Sequence, residues 1–135
     1  LQEGGKLYTF EINDEMEDFT RPWIEGSDVA DKIDFRIGDA NVEAPKLGVM
    51  FDIAFVDGDK RTYIETYEMV MKILNPGGYI LADNTLWDGH VIDPAYDRDH
   101  QTKGIRAFND LIANDPRVEV IILPLRDGLT LIRKK

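Results

Sequence analysis

Short apolar runs rich in β-forming residues alternate along this chain with longer amphipathic segments. Such runs are typical of strands, and apolar residues that recur every three or four positions are typical of helices. Their order predicts the arrangement β-α-β-β-α-β-loop-α-β-β, with only a short link between the second and third strands. The predicted strands are 6–12, 33–37, 49–56, 79–82, 118–123 and 129–132.

This order predicts an α/β fold built on an open, mostly parallel sheet. The runs at 49–56 and 79–82 are almost continuously apolar, as in parallel strands that are buried on both faces. The last two strands are joined by the short link Arg126-Asp127-Gly128, which favours an antiparallel hairpin. A chain of 135 residues suits one domain, so we predict a single domain over 1–135.

The first predicted helix follows Asn13 or Asp14, either of which is a suitable cap. It contains Pro22, which removes a backbone hydrogen bond, so we expect a kinked or shortened helix. The second helix carries an apolar face over 64–74 and ends at Asn75-Pro76-Gly77-Gly78. The third is marked by apolar residues over 105–112, after a long polar loop.

The charge balance excludes several classes of partner. Asp and Glu number 26 against 16 Lys and Arg, a formal net charge of −10, which does not suit nucleic acid or an anionic membrane surface. The absence of cysteine excludes disulfides, thiolate metal sites and cysteine nucleophiles. No apolar run approaches the ~20 residues of a membrane span. We therefore expect a cytoplasmic protein with no nucleic-acid or membrane partner.

Polar side chains stand where the predicted strands end, which is where open parallel sheets bind ligands. These side chains belong to Glu11, Asp39, Asp57 and the pair Asp83-Asn84. Asp57 and Asp83 end consecutive strands joined by one helix, so we expect them side by side. Two carboxylates and one amide oxygen suit a hard cation such as Mg²⁺ or Ca²⁺. Alternatively, each aspartate is a turn or capping residue.

Several single residues have two readings from sequence alone. Lys60 is either a solvated lysine, which its position alone favours, or a base or electrostatic guide beside the metal. Glu11 either accepts hydrogen bonds from a ribose diol or stabilises a turn. Trp87 either covers the core or walls a substrate pocket. His90 and His100 are expected at the surface. Neither a G-x-G-x-x-G motif nor a Walker loop occurs.

Taken in order, six segments resemble one family over essentially the whole chain. The family is the class I, metal-dependent S-adenosylmethionine O-methyltransferases of the caffeoyl-CoA and catechol type. The segments are Lys6-Leu7-Tyr8-Thr9-Phe10-Glu11, Gly38-Asp39-Ala40, Phe55-Val56-Asp57-Gly58-Asp59-Lys60, Asn75-Pro76-Gly77-Gly78, Ala82-Asp83-Asn84-Thr85-Leu86-Trp87 and Asp127-Gly128-Leu129-Thr130-Leu131. The resemblance implies a Rossmann-like methyltransferase sheet.

The resemblance also implies a cofactor site for S-adenosyl-L-methionine. Glu11 and Ile12 would lie at the cofactor ribose, and Asp39 and Ala40 would face the adenine. Asp57 would stand beside the cofactor as well.

A catalytic site is implied next to the cofactor. Asp57, Asp83 and Asn84 would bind the divalent metal. Lys60, with Asp57, would assist deprotonation of the acceptor hydroxyl, and Trp87 would wall the acceptor site. The expected reaction is methyl transfer to a hydroxyl of a small catechol-like or phenylpropanoid-like acceptor, in a homodimer.

One departure from the family pattern is large. The first strand of the family sheet and the glycine loop that holds the cofactor do not precede Lys6. Two strand edges would then lack a partner, which implies a longer parent protein, direct pairing of the edges or exchange with a second chain. We expect weak or absent methyl transfer from the 135 residues alone.

Two other functions remain open on this sequence. One is a catalytically inactive methyltransferase-like fragment that serves only as an association module. The other is a receiver-like domain that takes phosphate on a strand-end aspartate, although the first strand offers only Glu11 and then Asp14 as acidic partners.

Overall fold

The computed structural model describes residues 3–135 and shows an α/β fold with six strands in two sheets. The strands are β1 (Leu7–Glu11), β2 (Ile33–Ile37), β3 (Phe51–Val56), β4 (Leu74–Asp83), β5 (Val118–Leu123) and β6 (Leu129–Lys134). The α-helices are α1 (Glu17–Glu25), α2 (Ala40–Glu43), α3 (Tyr63–Ile73) and α4 (His100–Ala113). The described chain divides between Leu47 and Gly48 into two compact units, each with one sheet.

The first unit holds a parallel pair, β1 and β2, with Glu11 opposite Ile37. The side chain of Asn13 accepts a hydrogen bond from the backbone N–H of Glu15, as the predicted cap requires, and a short 3₁₀ turn then leads into α1. Helix α1 contains Pro22 and ends at Glu25, within one turn of the proline. This short helix agrees with the expected effect of a residue that cannot donate to the helix ladder.

The second unit holds a four-stranded sheet in the order β3-β4-β6-β5. Strands β3 and β4 are parallel, whereas β6 runs antiparallel to both β4 and β5. The predicted parallel centre and antiparallel C-terminal hairpin are therefore confirmed. Within residues 3–135, β1 and β3 belong to different sheets and no described strand pairs with both, so the direct pairing of these two edges does not occur.

Strand β4 begins earlier than the sequence predicts. The segment Asn75-Pro76-Gly77-Gly78 does end α3, but the chain enters the sheet directly at Leu74. The pairing register between β3 and β4 shifts at this point, which accommodates the proline and the two glycines. A Cβ at Gly78 would lie 2.9 Å from the backbone oxygen of Asp52, so only glycine allows the strands to approach here.

The core of the second unit lies between α3, α4 and one face of its sheet. Phe108 of α4 is at its centre, with its ring 5.3 Å from that of Tyr63 and 6.1 Å from that of Tyr67, both in edge-to-face geometry. The other fully buried apolar side chains are Leu74, Ile80, Ala82, Ile105 and Ile132. This packing holds α3 and α4 against the sheet that contains β3 and β4, and polar residues follow at the ends of these two strands.

The opposite face of this sheet carries exposed apolar side chains. Ile53 and Phe55 alternate along β3 with residues that face the core, and they are 63% and 61% exposed.

Within residues 3–135, no helix is long and apolar enough to cross a membrane.

We predict that Phe108→Ala lowers the free energy of unfolding by ~3–5 kcal/mol, because it leaves a cavity among buried rings. Phe55→Ala removes the same atoms at an exposed position and should cost less than ~1 kcal/mol. Urea unfolding followed by far-UV circular dichroism measures both. Equal losses for the two variants would show that Phe108 is not central to the core.

Candidate active site

The carboxyl ends of β3 and β4 bring the predicted polar residues to one edge of the sheet. Val56 pairs with Ala82, so Asp57 and Asp83 follow at the ends of neighbouring parallel strands. Asn84 comes next and has a positive φ of 58°, a left-handed conformation that asparagine tolerates better than most residues. The expected juxtaposition of the two aspartates is therefore present in the structure.

Lys60 is buried, with only 4% of its surface exposed. Its Nζ donates hydrogen bonds to Asp57 Oδ1 at 3.1 Å and to the Tyr63 hydroxyl at 2.6 Å. The same ammonium group lies 5.8 Å from the centre of the Trp87 ring. A buried charge requires such partners. The solvated lysine that its position alone favours is therefore wrong.

Tyr63 joins the ends of the two strands and is a site residue that the sequence did not indicate. Its hydroxyl lies 2.9 Å from the backbone oxygen of Asp83 and 3.1 Å from that of Val56. Burial raises the pKa of this hydroxyl well above its ordinary value. The negative charges of three nearby carboxylates raise that pKa further, those of Asp57, Asp83 and Asp127. Tyr63 therefore stays protonated at neutral pH.

Helix α4 positions the backbone of Lys60. The Gln101 side chain accepts a hydrogen bond from the Lys60 N–H at 2.9 Å. One turn further, Gly104 lies directly against the Lys60 carbonyl, and a Cβ there would stand 2.9 Å from the Cα of Arg61 and closer still to that carbonyl oxygen. The helix can approach the lysine this closely only because residue 104 has no side chain.

The hairpin between β5 and β6 holds Asn84. The Asn84 Nδ2 donates to both carboxylate oxygens of Asp127, at 3.0 Å and 2.9 Å. The backbone oxygen of Asp127 also accepts hydrogen bonds from the N–H groups of Leu86 and Trp87. Asp127 lies in a motif that the resemblance includes, but sequence spacing gives no sign of this contact across 43 positions.

Each predicted metal ligand has one side-chain oxygen for which residues 3–135 provide no hydrogen-bond partner. Asp57 and Asp83 use one oxygen each, Asp57 for Lys60 and Asp83 for the backbone N–H of Asn84. The amide nitrogen of Asn84 is held by Asp127, which leaves its oxygen as the open group. Two carboxylates and one amide oxygen form a donor set that suits a hard divalent cation. Among residues 3–135, no three His, Asp or Glu side chains are arranged to hold a metal. A cation at this donor set would therefore depend on the Asn84 oxygen as its third side-chain ligand.

Trp87 begins a segment of 3₁₀ structure, Trp87–Ile92 and Pro94–Tyr96, and the first of these ranges is interrupted by positive φ angles at Asp88 and Gly89. The Trp87 side chain packs against the core, as one of its two interpretations predicts, and it also flanks Lys60. A role in walling a substrate pocket stays a prediction. His90 is partly buried and stacks on Tyr96 with ring centroids 3.5 Å apart, which corrects the expected surface position. His100 is exposed at the start of α4, as predicted.

The first unit places Glu11 and Asp39 at the carboxyl ends of its two strands. Glu11 Oε1 accepts from the Asn13 N–H at 2.7 Å, and Asp39 caps α2 by accepting from the Asn41 N–H at 2.8 Å. Both side chains therefore fulfil the turn and capping roles considered for them. Ile12 is 74% exposed, and Ala40 is partly buried in α2. A cofactor role for these residues stays a prediction.

A family model described as O-methyltransferase matches residues 1–135. The chain belongs to this family. Caffeoyl-CoA O-methyltransferase 1 from Eucalyptus globulus is 38% identical over 99% of this chain and 58% of its own length. The fold also matches the O-methyltransferase from Bacillus cereus in complex with SAH, with a TM-score of 0.88 and 30% identity over 98% of this chain and 64% of that one.

A second solved structure, TomG from Streptomyces achromogenes in complex with SAM, matches with a TM-score of 0.90 and 26% identity. The match covers 100% of this chain and 64% of the TomG chain. The chain thus spans a little under two thirds of the length of these relatives. The Rossmann-like methyltransferase fold that the sequence predicts is confirmed.

Gly104→Ala should lower the free energy of unfolding by ~1–3 kcal/mol, because the new methyl group overlaps the Lys60 backbone. Glycine to alanine within a helix otherwise stabilises it by up to ~1 kcal/mol, so the sign is reversed here. Gly58→Ala is the matched control, since a Cβ there meets nothing within 4 Å. Thermal and urea unfolding measure both variants. A stabilised Gly104→Ala protein would contradict the close approach of α4 to Lys60.

Proposed function

We propose that this protein transfers a methyl group from S-adenosylmethionine to a hydroxyl of a small catechol-like acceptor, with the help of a divalent cation. The observation that carries the proposal is the buried ammonium of Lys60, hydrogen-bonded to Asp57 and lying beside the Trp87 ring. Family membership supports the reaction class. The SAH and SAM of two solved relatives support the cofactor.

Asp57, Asp83 and Asn84 would hold the cation through the oxygens that no hydrogen bond within residues 3–135 occupies. A bound divalent cation lowers the pKa of a coordinated hydroxyl and fixes vicinal oxygens in place. Asp127 would act on this site through Asn84, because its carboxylate accepts from the amide nitrogen and so determines which way the amide oxygen points. A hydrogen bond of this kind to a metal-binding side chain orients that side chain before a metal binds.

Lys60 would stabilise the acceptor oxygen as it loses its proton. Its positive charge is buried, and a charge interaction at short range is stronger there than in water. Asp57 keeps the ammonium group in place, and Tyr63 does so from the other side as a protonated hydroxyl. The side chain therefore reaches the acceptor already oriented, which reduces the entropic cost of the reaction.

The cofactor would bind at the carboxyl ends of the strands, as ligands do in open α/β sheets. Glu11 would accept hydrogen bonds from the ribose hydroxyls through its second oxygen, since Oε1 already accepts from Asn13. Ile12, Asp39 and Ala40 would contribute the adenine side of the site. We infer on the same grounds that residues 1–135 form parts of one methyltransferase domain.

The acceptor would be a flat aromatic molecule with adjacent hydroxyls. The Trp87 ring flanks Lys60 and offers an apolar surface for stacking. Two hydroxyls on neighbouring carbons match a site in which a cation and an ammonium group lie together. The name of the Eucalyptus relative, a caffeoyl-CoA O-methyltransferase, supports this acceptor class.

The decisive experiment measures methyl transfer from S-adenosylmethionine to catechol, with Mg²⁺ and with EDTA. It uses the 135-residue chain and, in parallel, the same chain with any residues that its gene encodes upstream. We expect EDTA to abolish the reaction and Asp83→Ala to lower kcat/KM by ~100-fold or more, because a ligand is lost. Asp110→Ala, on the surface of α4, is the control and should retain full activity.

Methylation that survives both EDTA and Asp83→Ala would rule out the metal site. A protein that neither methylates catechol nor binds S-adenosylhomocysteine by calorimetry, in both forms, would contradict the proposal and favour a non-catalytic association module.

We predict that Asp127→Ala weakens Mn²⁺ binding by ~10–100-fold, because Asn84 loses the group that orients its amide. The Kd is measured by electron paramagnetic resonance of free Mn²⁺, which does not depend on activity. Circular dichroism confirms that the variant folds, and Asp110→Ala again serves as the control. An unchanged Kd for Mn²⁺ in Asp127→Ala would show that the contact between Asp127 and Asn84 does not contribute to metal binding.

A further inference from the structure

The segment between β4 and α4 is ordered although most of it lies at the surface. Residues 92–100 are all exposed, and Ile92 is 85% exposed. Trp87 and Val91 are the members of this segment that pack against the core, and both lie in its first half. Apolar packing therefore anchors only one end, and the conformation of the rest must depend on polar contacts.

One side chain of α4 supplies four of those contacts. Arg106 of α4 donates from Nε to the backbone oxygen of Val91 at 2.8 Å, and from Nη2 to those of His90 and Asp93 at 2.9 Å each. Its Nη1 donates to the carboxylate of Asp97 at 2.7 Å. The guanidinium group is only partly exposed, with 28% of the side-chain surface accessible. All three of its nitrogens are thus committed to a single segment.

The bonds of Arg106 fall where the segment turns. The oxygens of His90 and Asp93 also accept from the N–H groups of Asp93 and Tyr96, so the guanidinium group closes two successive 3₁₀ turns. A planar group with five donors can hold such a set at once, whereas the ammonium of lysine cannot. Arg106 therefore stabilises this conformation of the segment through the geometry of its donors as well as through its charge.

The conformation that Arg106 holds also arranges three rings in a row. The Trp87 ring meets the His90 ring edge-on at 6.5 Å, and His90 stacks on Tyr96 at 3.5 Å and 11°. The first of these rings is the one beside the Lys60 ammonium. The row therefore extends from the buried charge outward along the segment, and its outer part has no other anchor in the core of the described residues.

We propose that Arg106 is a positioning residue for acceptor binding: it holds residues 87–97 as a preformed aromatic wall beside Lys60. The effect of Arg106 on acceptor binding rests on the proposed function, because the wall serves the aromatic acceptor. The claim that Arg106 holds this segment rests only on its hydrogen bonds. Without the guanidinium group the outer rings would sample many conformations, and an acceptor would have to order them on binding.

Hydrogen exchange tests the structural part on the 135-residue chain. In Arg106→Ala and Arg106→Lys, the amides of Asp93, Tyr96 and Asp97 should exchange at least about tenfold faster, because local opening becomes easier. The amides of α4 beyond its first turn should stay protected. Lys103→Ala is the control, since it truncates an exposed cation on the same helix and should leave exchange over 87–97 unchanged.

Steady-state kinetics with catechol and S-adenosylmethionine test the acceptor part, on whichever form of the protein is active. Both Arg106 variants should raise KM for catechol by about tenfold, with a smaller change in kcat and an unchanged KM for S-adenosylmethionine. A purely structural role would instead lower activity toward both substrates in proportion to the unfolded fraction.

Unchanged exchange over 87–97 in both Arg106 variants would overturn the proposal, and so would faster exchange with an unchanged KM for catechol. Restoration of the slow exchange by Arg106→Lys would also count against it, because charge alone would then suffice. A wild-type protein that methylates nothing would contradict the proposed function, and the exchange data would still decide whether Arg106 holds the segment.

Discussion

The site depends on one energetic constraint, the burial of the Lys60 ammonium group. An isolated ammonium is strongly disfavoured away from water, so the protein must surround it with acceptors or lose the fold around it. Asp57 supplies the opposite charge and Tyr63 a neutral acceptor, while the Trp87 face contributes its electron density. Asp57 and Tyr63 are each three residues away from Lys60, whereas Trp87 follows β4. Satisfying one charge therefore brings the end of β3, the start of α3 and the segment after β4 to the same place.

The remaining polar groups at this edge are arranged by rigid elements. Tyr63 connects the last residues of β3 and β4 through its hydroxyl, and the β5–β6 hairpin reaches back to Asn84 through Asp127. Main-chain bonds from Thr85 and Leu86 to the same hairpin add to that link. Strands and hairpins hold functional groups more accurately than free loops do. The candidate ligands are consequently oriented by the fold itself.

Much of this arrangement could be predicted from the sequence, because it follows from local pattern. The strands predicted at 33–37 and 118–123 coincide with β2 and β5, and parallel pairing alone places Asp57 next to Asp83. The burial of Lys60 could not be predicted, since it requires α4 to approach through Gly104, far along the chain. The same holds for Asp127 and Arg106, whose contacts depend on tertiary packing rather than on spacing. Tyr63 has the sequence spacing of an ordinary core residue of α3, and its role at the site depends on the hydrogen bonds of its hydroxyl, which the spacing does not indicate.

Helix α4 makes four kinds of contact within two turns. Gln101 and Gly104 meet Lys60, Arg106 meets the segment before the helix, and Phe108 fills the core. These positions are linked mechanically, because any shift of the helix that improved one contact would disturb the others. Under the proposed function, adaptation to a new acceptor would therefore be confined to exposed positions of the preceding segment whose side chains make none of these contacts, such as Ile92 and Ala95. Helix α4 would thus keep the geometry of the candidate site constant while these exposed positions vary.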